Sequence, residues 1–428
     1  MVLLLYYLFL KLYAAGISIS ALWNNKAKLW INGRNEFPVS NNSSSNTIWM
    51  HCASLGEFEQ GRPLIEKIKN EYPSYKIIIT FFSPSGYEMQ KNFTGADEAF
   101  YLPVDSSKNA KRFIELIKPD LVLWIKYEFW YYYLHELKFR NIPVLLISGA
   151  FRKNQPFFKW YGNFWQKMLN CFEHIFVQNQ ISKTLLESIN IKRVTVSGDT
   201  RFDRVITIAD EFIDVKMIKE FCLNHKVIVA GSTWKEDEAV FVHFVKTNPQ
   251  IKFIIAPHEI GKENLKDVKK QFTGSIFYSE LKNVNSETSD VKNDTSNVSP
   301  LTSHDKNCLI IDNIGMLSRL YKYADITYVG GGFSDGGLHN ILEAAVYGKP
   351  VIFGPEYERN FEADELIECG GGISIENALE LETALNNLLK DETELNQRSE
   401  AAKNYVYSKA GATEKVMNYI QEKRLLTN

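Results

Sequence analysis

Short apolar, β-branched runs recur along this chain. Each ends in a small-residue turn, and an amphipathic stretch separates it from the next. The first series falls at 47–50, 76–81, 121–125, 144–147, 174–177 and 194–196; the pattern resets across 200–220 and resumes at 227–230, 253–256, 308–311, 326–329 and 351–353. Helical patterns fill the gaps, among them 60–70, 110–117, 236–246, 316–323 and 339–347. Apolar runs divided by helical stretches imply parallel βαβ units, whose strands are buried on both faces. A chain of 428 residues is too long for one core. The expected class is therefore α/β, with two Rossmann-like doubly wound domains facing a cleft. The expected division is 1–34 as membrane anchor and basic flank, 35–210 as the first α/β domain, and 211–428 as the second. Residues 41–46 read as a polar linker. A segment of about 279–305, rich in Ser, Asn, Asp and Thr, reads as a disordered insertion.

The N-terminus carries its own signal. Residues 2–10 are continuously apolar, Lys11 interrupts, and 12–23 are again mostly apolar. About 20 such residues suffice to cross a bilayer. A mid-segment Lys is costly in a span and tolerable in a helix lying in the interface, so both arrangements stay open. Positive charges follow the run and no small-residue cleavage pattern stands near 23, which points to an uncleaved anchor. Lys26, Lys28 and Arg34 then place the body on the cytoplasmic side.

Charge and cysteine usage exclude some classes. With 49 basic and 51 acidic residues the net charge is −2, so nucleic acid is not an expected partner. The five cysteines are scattered without CxxC spacing, which argues against disulfides and structural zinc. The histidines lack metal-ligand spacing, so no metal and no cofactor are expected.

In the first half, the run 47–50 leads through His51-Cys52-Ala53-Ser54-Leu55-Gly56 to Glu57 at the start of a helix. The N-terminal field of a helix favours an ionised carboxylate, and ligands of open α/β sheets bind at strand C-termini. Glu57 is thus a candidate general base; a helix-capping acid would occupy the same position. Ser54, Gly56, Ser83 and Arg152 lie at neighbouring strand ends and are the candidate acceptor contacts. Lys126 and Glu128 share that rim, where a solvated ion pair is the simpler account.

In the second half, Gly231-Ser232-Thr233 forms a Gly turn with hydroxyls at a helix start, a phosphate-binding arrangement that equally suits a bare N-cap. Gly330, Gly331 and Gly332 end another strand and permit close backbone approach. Asn340 and Glu343 follow at i, i+3, and an acid so placed takes both hydroxyls of a ribose. Neither a Walker motif nor GxGxxG is present, which disfavours ATPases, kinases and NAD enzymes.

Taken in order, these motifs resemble the 3-deoxy-D-manno-octulosonic acid (Kdo) transferase family, of glycosyltransferase GT-B architecture. The resemblance rests on KAKLWINGR at 26–34, HCASLGEFEQGRPLI at 51–65, TFFSPSGYE at 80–88, GDTRFDRV at 198–205, AGSTWKEDE at 230–238 and VGGGFSDGGLHNILEAAVYGKPVIFGP at 329–355. It departs at Lys126, where the family carries an acid, while Glu128 and Trp130 match. It departs again at His258–Lys262, where the family's Arg is missing. The resemblance implies Glu57 as general base, with Glu128 as its catalytic neighbour. It implies Ser232, Thr233, Asn340 and Glu343 as contacts to the CMP moiety, joined by Gly231, Gly331 and Gly332. It implies CMP-Kdo as donor, a lipid A precursor as acceptor, 35–210 as the acceptor-binding domain, 211–428 as the nucleotide-sugar (donor) domain, and inverting, metal-independent transfer in lipopolysaccharide core biosynthesis at the inner membrane. A GT-B enzyme using a UDP-sugar and a non-catalytic, epimerase-like sugar-nucleotide-binding protein are the alternatives.

Overall fold

The computed structural model describes residues 2–39, 46–126, 128–281, 306–334, 336–358 and 360–427. Most of the expected insertion at 279–305 and most of the expected linker at 41–46 lie outside the described residues. The chain divides into two compact units, Met1–Arg204 with Lys409–Asn428, and Val205–Ser408.

Among the described residues, the first unit holds a seven-stranded parallel sheet. Its strands are β1 (Thr47–Cys52), β2 (Lys76–Phe81), β3 (Glu98–Tyr101), β4 (Leu121–Ile125), β5 (Val144–Gly149), β6 (His174–Val177) and β7 (Val194–Val196), in the order β3-β2-β1-β4-β5-β6-β7. Every residue of β1 and β4 is buried, as their unbroken apolar runs require. One face packs Trp49, Trp124, Phe113 and Tyr133; the other packs Met50, Phe58, Ile77 and Leu123. The helix after β1 (Leu55–Glu71) buries Phe58, Gly61, Ile65 and Ile68, one stripe at helical spacing. At Gly61 the helix lies so close to β1 that an added Cβ would stand 2.4 Å from Met50 Sδ.

The second unit repeats the plan with β8 (Val227–Thr233), β9 (Lys252–Pro257), β10 (Ile276–Phe277), β11 (Cys308–Ile310), β12 (Ile326–Val329), β13 (Val351–Phe353) and β14 (Gly372–Ser374), ordered β10-β11-β9-β8-β12-β13-β14. In each sheet the strand order reverses beside the first strand of the unit, β1 against β4 and β8 against β12. That is where open α/β sheets bind ligands.

Four expectations need correction. The division falls at 204/205 rather than 210/211, and the last helix (Ala412–Glu422) joins the first unit, because its apolar face, Val416, Met417 and Ile420, completes the core around β1 and β2. The N-terminal helix α1 (Val2–Ser20) is largely exposed yet packs on the first unit: Leu10 is buried, and Tyr6 donates to Asp105 Oδ2 at 2.6 Å. Arg34 is no free basic flank. Its guanidinium donates to the carbonyls of Leu102, Trp30 and Phe82 and stands 4.1 Å from the Trp30 ring, and burial lowers it to about 10. The helix expected over 339–347 shrinks to Leu342–Ala345, since the Gly336-Gly337 turn delays its start.

Candidate active site

Glu57 lies in the first turn of the helix after β1, and its carboxylate turns back to accept from the Ala53 N–H. It is almost fully buried. Burial first, and Glu128 second, raise its carboxyl to about 8; the Ala53 N–H, Lys126 and the Ser54 N–H act in the opposite sense. The expected N-terminal stabilisation of its charge is therefore overturned. Desolvation costs more than the helix terminus returns.

Glu128, in the exit of β4, accepts from Trp130 Nε1 at 3.1 Å and faces His51 Nε2 at 3.3 Å. The other His51 nitrogen, Nδ1, lies 2.9 Å from Thr80 Oγ1, which also accepts from Trp49 Nε1 at 2.8 Å. A carboxylate only accepts, so Nε2 carries the ring proton and the Thr80 hydroxyl donates to Nδ1. The β1–β2 register, which pairs His51 with Thr80, builds this chain of contacts. A second buried carboxylate stands at the end of β7. Asp199 accepts from Gln60 Nε2 at 2.9 Å, Gln178 Nε2 at 2.7 Å and the Arg201 side chain at 2.9 Å. Burial opposes its charge, but Arg201 and Lys126 outweigh it and hold the carboxyl below its ordinary range.

The predicted acceptor residues share this rim. Ser54 caps the Glu57 helix through its extended backbone, and open space surrounds Gly56. The Ser83 N–H donates to the Ala53 carbonyl at 2.7 Å, tying the β2 exit to the β1 exit. Arg152 is exposed beyond β5, its N–H donating to Gln155 Oε1. Two residues take left-handed backbone at the rim, Lys126 (φ 57°) and Ser148 (φ 53°), sharp exits that turn β4 and β5 outward.

In the second unit, Gly231, Ser232 and Thr233 form the end of β8, with Ser232 left-handed at φ 54°. Thr233 Oγ1 donates to Glu238 Oε1 at 3.1 Å, and burial raises Glu238 to about 7. Glu238 Oε2 is buried without a hydrogen-bond partner among the described residues. The glycine run after β12 is more structural than expected. Asp237 takes the Gly331 N–H at 2.9 Å, together with the Trp234 N–H and the Tyr328 hydroxyl. Gly332 packs backbone to backbone on Gly354, where a Cβ would stand 2.6 Å from the Gly354 N. Asn340 and Glu343 do meet, Asn340 Nδ2 donating to Glu343 Oε1 at 3.1 Å, while Asn340 Oδ1 accepts the Leu342 N–H ahead of the short helix. Beside them Trp234, His258 and His339 stack: His258 lies 4.7 Å from the Trp234 ring and 4.4 Å from His339. Trp234 Nε1 donates to His339 Nε2 at 3.1 Å, and burial, with His258, lowers His339 to about 4.

Residues 30–204 match the family model described as 3-deoxy-D-manno-octulosonic-acid transferase (kdotransferase). A curated 3-deoxy-D-manno-octulosonic acid transferase from Aquifex aeolicus is 29% identical over 365 residues, 83% of this chain and 90% of that protein. One from Chlamydia muridarum is 27% identical over 378 residues, 84% of this chain and 82% of that protein. Residues 30–204 thus carry the Kdo transferase domain, and curated Kdo transferases are similar to the chain over most of its length. It is a glycosyltransferase. Among solved structures, the UDP-GlcNAc 2-epimerase from Neisseria meningitidis bound to UDP-GlcNAc superposes on this chain with a TM-score of 0.62 at 17% identity, over 88% of this chain and 100% of that one. A glycosyltransferase from Rickettsia africae gives 0.57 at 17% identity, over 90% and 100%. At such identity the likeness is one of fold.

Sequence reasoning passed over several residues of the transferase's two switch points. His51 has no local signature beyond preceding the Glu57 turn, because its partners come from β2 and the β4 exit. Asp199 left a trace, since a Gly-Asp-Thr step follows a strand. His258 and His339 each follow a strand end, but their stacking on Trp234 depends on three separate loops.

Proposed function

We propose that this enzyme transfers Kdo from CMP-Kdo to a lipid A precursor at the cytoplasmic face of the inner membrane, with Glu57 as general base. The Kdo transferase domain over 30–204 and the similarity to curated Kdo transferases support Kdo transfer. The observation that carries the base assignment is a buried carboxylate at the β1/β4 switch point whose pKa is raised to about 8. A carboxylate so placed is more basic than one in water and sits in the range where general bases work best. An acceptor hydroxyl attacks the anomeric carbon, the anomeric carbon–oxygen bond to the CMP phosphate breaks, the hydroxyl proton passes to Glu57, and CMP departs as the anion. One displacement inverts the anomeric centre, and no metal ion is part of the step. Glu128 positions the site through His51 and Trp130 and tunes Glu57 electrostatically.

On the donor side, Ser232 and Thr233 receive the phosphate, Asn340 and Glu343 the ribose, and Gly231, Gly331 and Gly332 shape the backbone around them. The exposed His258 ring, on the Trp234–His339 stack, offers a face to the cytosine. The α1 helix is long and apolar enough to cross a membrane, which supports anchoring. Isothermal titration with CMP and UDP, followed by transfer assays with CMP-Kdo and a tetra-acylated lipid A precursor, tests the reading. Preference for UDP, or no transfer to that acceptor, would reject it in favour of a UDP-sugar enzyme or a sugar-nucleotide-binding protein.

A further inference from the structure

A cavity of about 540 Å³ opens in the first unit between α1 and the segment 155–168. Its walls are hydrocarbon and ring faces, with Leu5 and Phe9 on the α1 side and Phe129, Trp130, Phe157 and Trp165 on the body side. Three polar groups of the lining residues are engaged elsewhere. The Tyr6 hydroxyl donates to Asp105, Trp130 Nε1 donates to Glu128, and Gln155 Oε1 accepts from the Arg152 N–H. A polar ligand would find little to bind there, and an apolar cavity stays dry. The volume falls in the usual range for small-molecule sites, roughly 300–1,000 Å³.

Two further observations select the occupant. The α1 wall continues into an unpartnered apolar surface, with Leu4 70%, Phe9 58% and Leu12 64% exposed, and Trp160 stands 95% exposed on the opposite wall's segment. That surface suits a bilayer, so the cavity opens toward lipid chains rather than toward a soluble partner. At its inner side Trp130 bonds to Glu128, the carboxylate that raises Glu57. A molecule with its tail in this cavity therefore carries its head toward the proposed base.

We propose that the cavity binds one fatty acyl chain of the lipid acceptor and so holds the acceptor sugar against Glu57. The proposal rests on the reading that the acceptor is a lipid. It makes α1 a wall of the acceptor site as well as an anchor, and it ties acceptor choice to acylation.

The test uses the full chain in cholate, a detergent without an alkyl chain. Leu5→Trp fills the cavity from an exposed helix position; Leu12→Trp, on the same helix outside the cavity, is the control. Dansyl-labelled undecanoic acid probes the cavity directly, and KM and kcat are compared for a tetra-acylated acceptor and its fully deacylated counterpart. Leu5→Trp is expected to weaken the probe and raise KM for the acylated acceptor, each by about 10-fold or more. It should leave kcat and the deacylated acceptor unchanged, and Leu12→Trp should alter none of these. A probe that fails to bind the wild-type chain, or equal KM changes for both acceptors, overturns the proposal. If the probe binds and Leu5→Trp blocks it, yet the wild-type enzyme transfers to neither acceptor, the reading of the acceptor has failed and the acyl-chain role falls with it.

Discussion

His51 Nε2 lies 3.3 Å from Glu128 Oε2; His51 belongs to β1 and Glu128 to the exit of β4, the two strands that flank the switch point of the first sheet. The contact fixes the Glu128 carboxylate beside the helix that bears Glu57. One carboxylate is held by hydrogen bonds so that its charge bears on the other, a division of labour expected where one acid must be made basic.

Glu57→Gln should lower turnover by about 10²- to 10⁴-fold, the usual contribution of a general base. The amide oxygen can still accept the Ala53 N–H, so the fold and CMP binding should survive. Single-turnover rates beside CMP titrations check this. A variant that turns over normally would make Glu57 a cap and no more.

The pH profile follows from the raised carboxyl. With a pKa of about 8, Glu57 is about one-tenth ionised at pH 7, so kcat/KM should climb with pH and level off above an inflection near 8. Glu128→Gln removes the like charge and should move that inflection to lower pH. The linked stability has the opposite sense. A carboxyl raised in the folded state stabilises the fold fully below its unfolded pKa, and that contribution disappears as pH rises through about 8. Denaturant midpoints across this window should fall less steeply for Glu57→Gln than for the natural chain.

Glu343→Ala should weaken CMP binding by roughly 10-fold or more, since a charged hydrogen bond contributes about 1.5–3 kcal/mol. Calorimetry decides the matter. An unchanged dissociation constant would leave Glu343 as the partner of Asn340 and nothing further.

Asp237→Ala should cost stability before it costs chemistry. Its carboxylate satisfies the Trp234 and Gly331 amides and the buried Tyr328 hydroxyl. Leaving such donors without an acceptor costs about 1–3 kcal/mol for each one that water cannot reach. Urea unfolding of the second unit should show it, whereas Asp237→Asn, which keeps one acceptor oxygen, should lose less.

How far the sequence could be read depended on distance along the chain. β2, β4, β6, β12 and β13 were legible to the residue, because an unbroken apolar run between polar turns has few other solutions. β3, β10 and β14 were missed. They are short edge strands, Glu98–Tyr101, Ile276–Phe277 and Gly372–Ser374, with a charge in the first, two residues in the second and a glycine in the third. Glu57 was found as a residue and misread as a charge, since its burial comes from elements the local motif does not contain. The His51–Thr80 and Trp234–His258–His339 contacts depend on strand register and loop closure, which no local pattern encodes.

Residues 409–428 return to the first unit, where the Gly411 and Thr413 amides bond to the Asp203 carboxylate at 2.6 and 2.7 Å and Met417 and Ile420 enter the core. In synthesis, therefore, the unit that begins first is completed last. A nascent chain that has not yet reached residue 409 exposes the apolar bed of the missing helix, while the segment 205–408 closes its own sheet first. A chain cut short before residue 409 would thus damage the unit whose strands were made first.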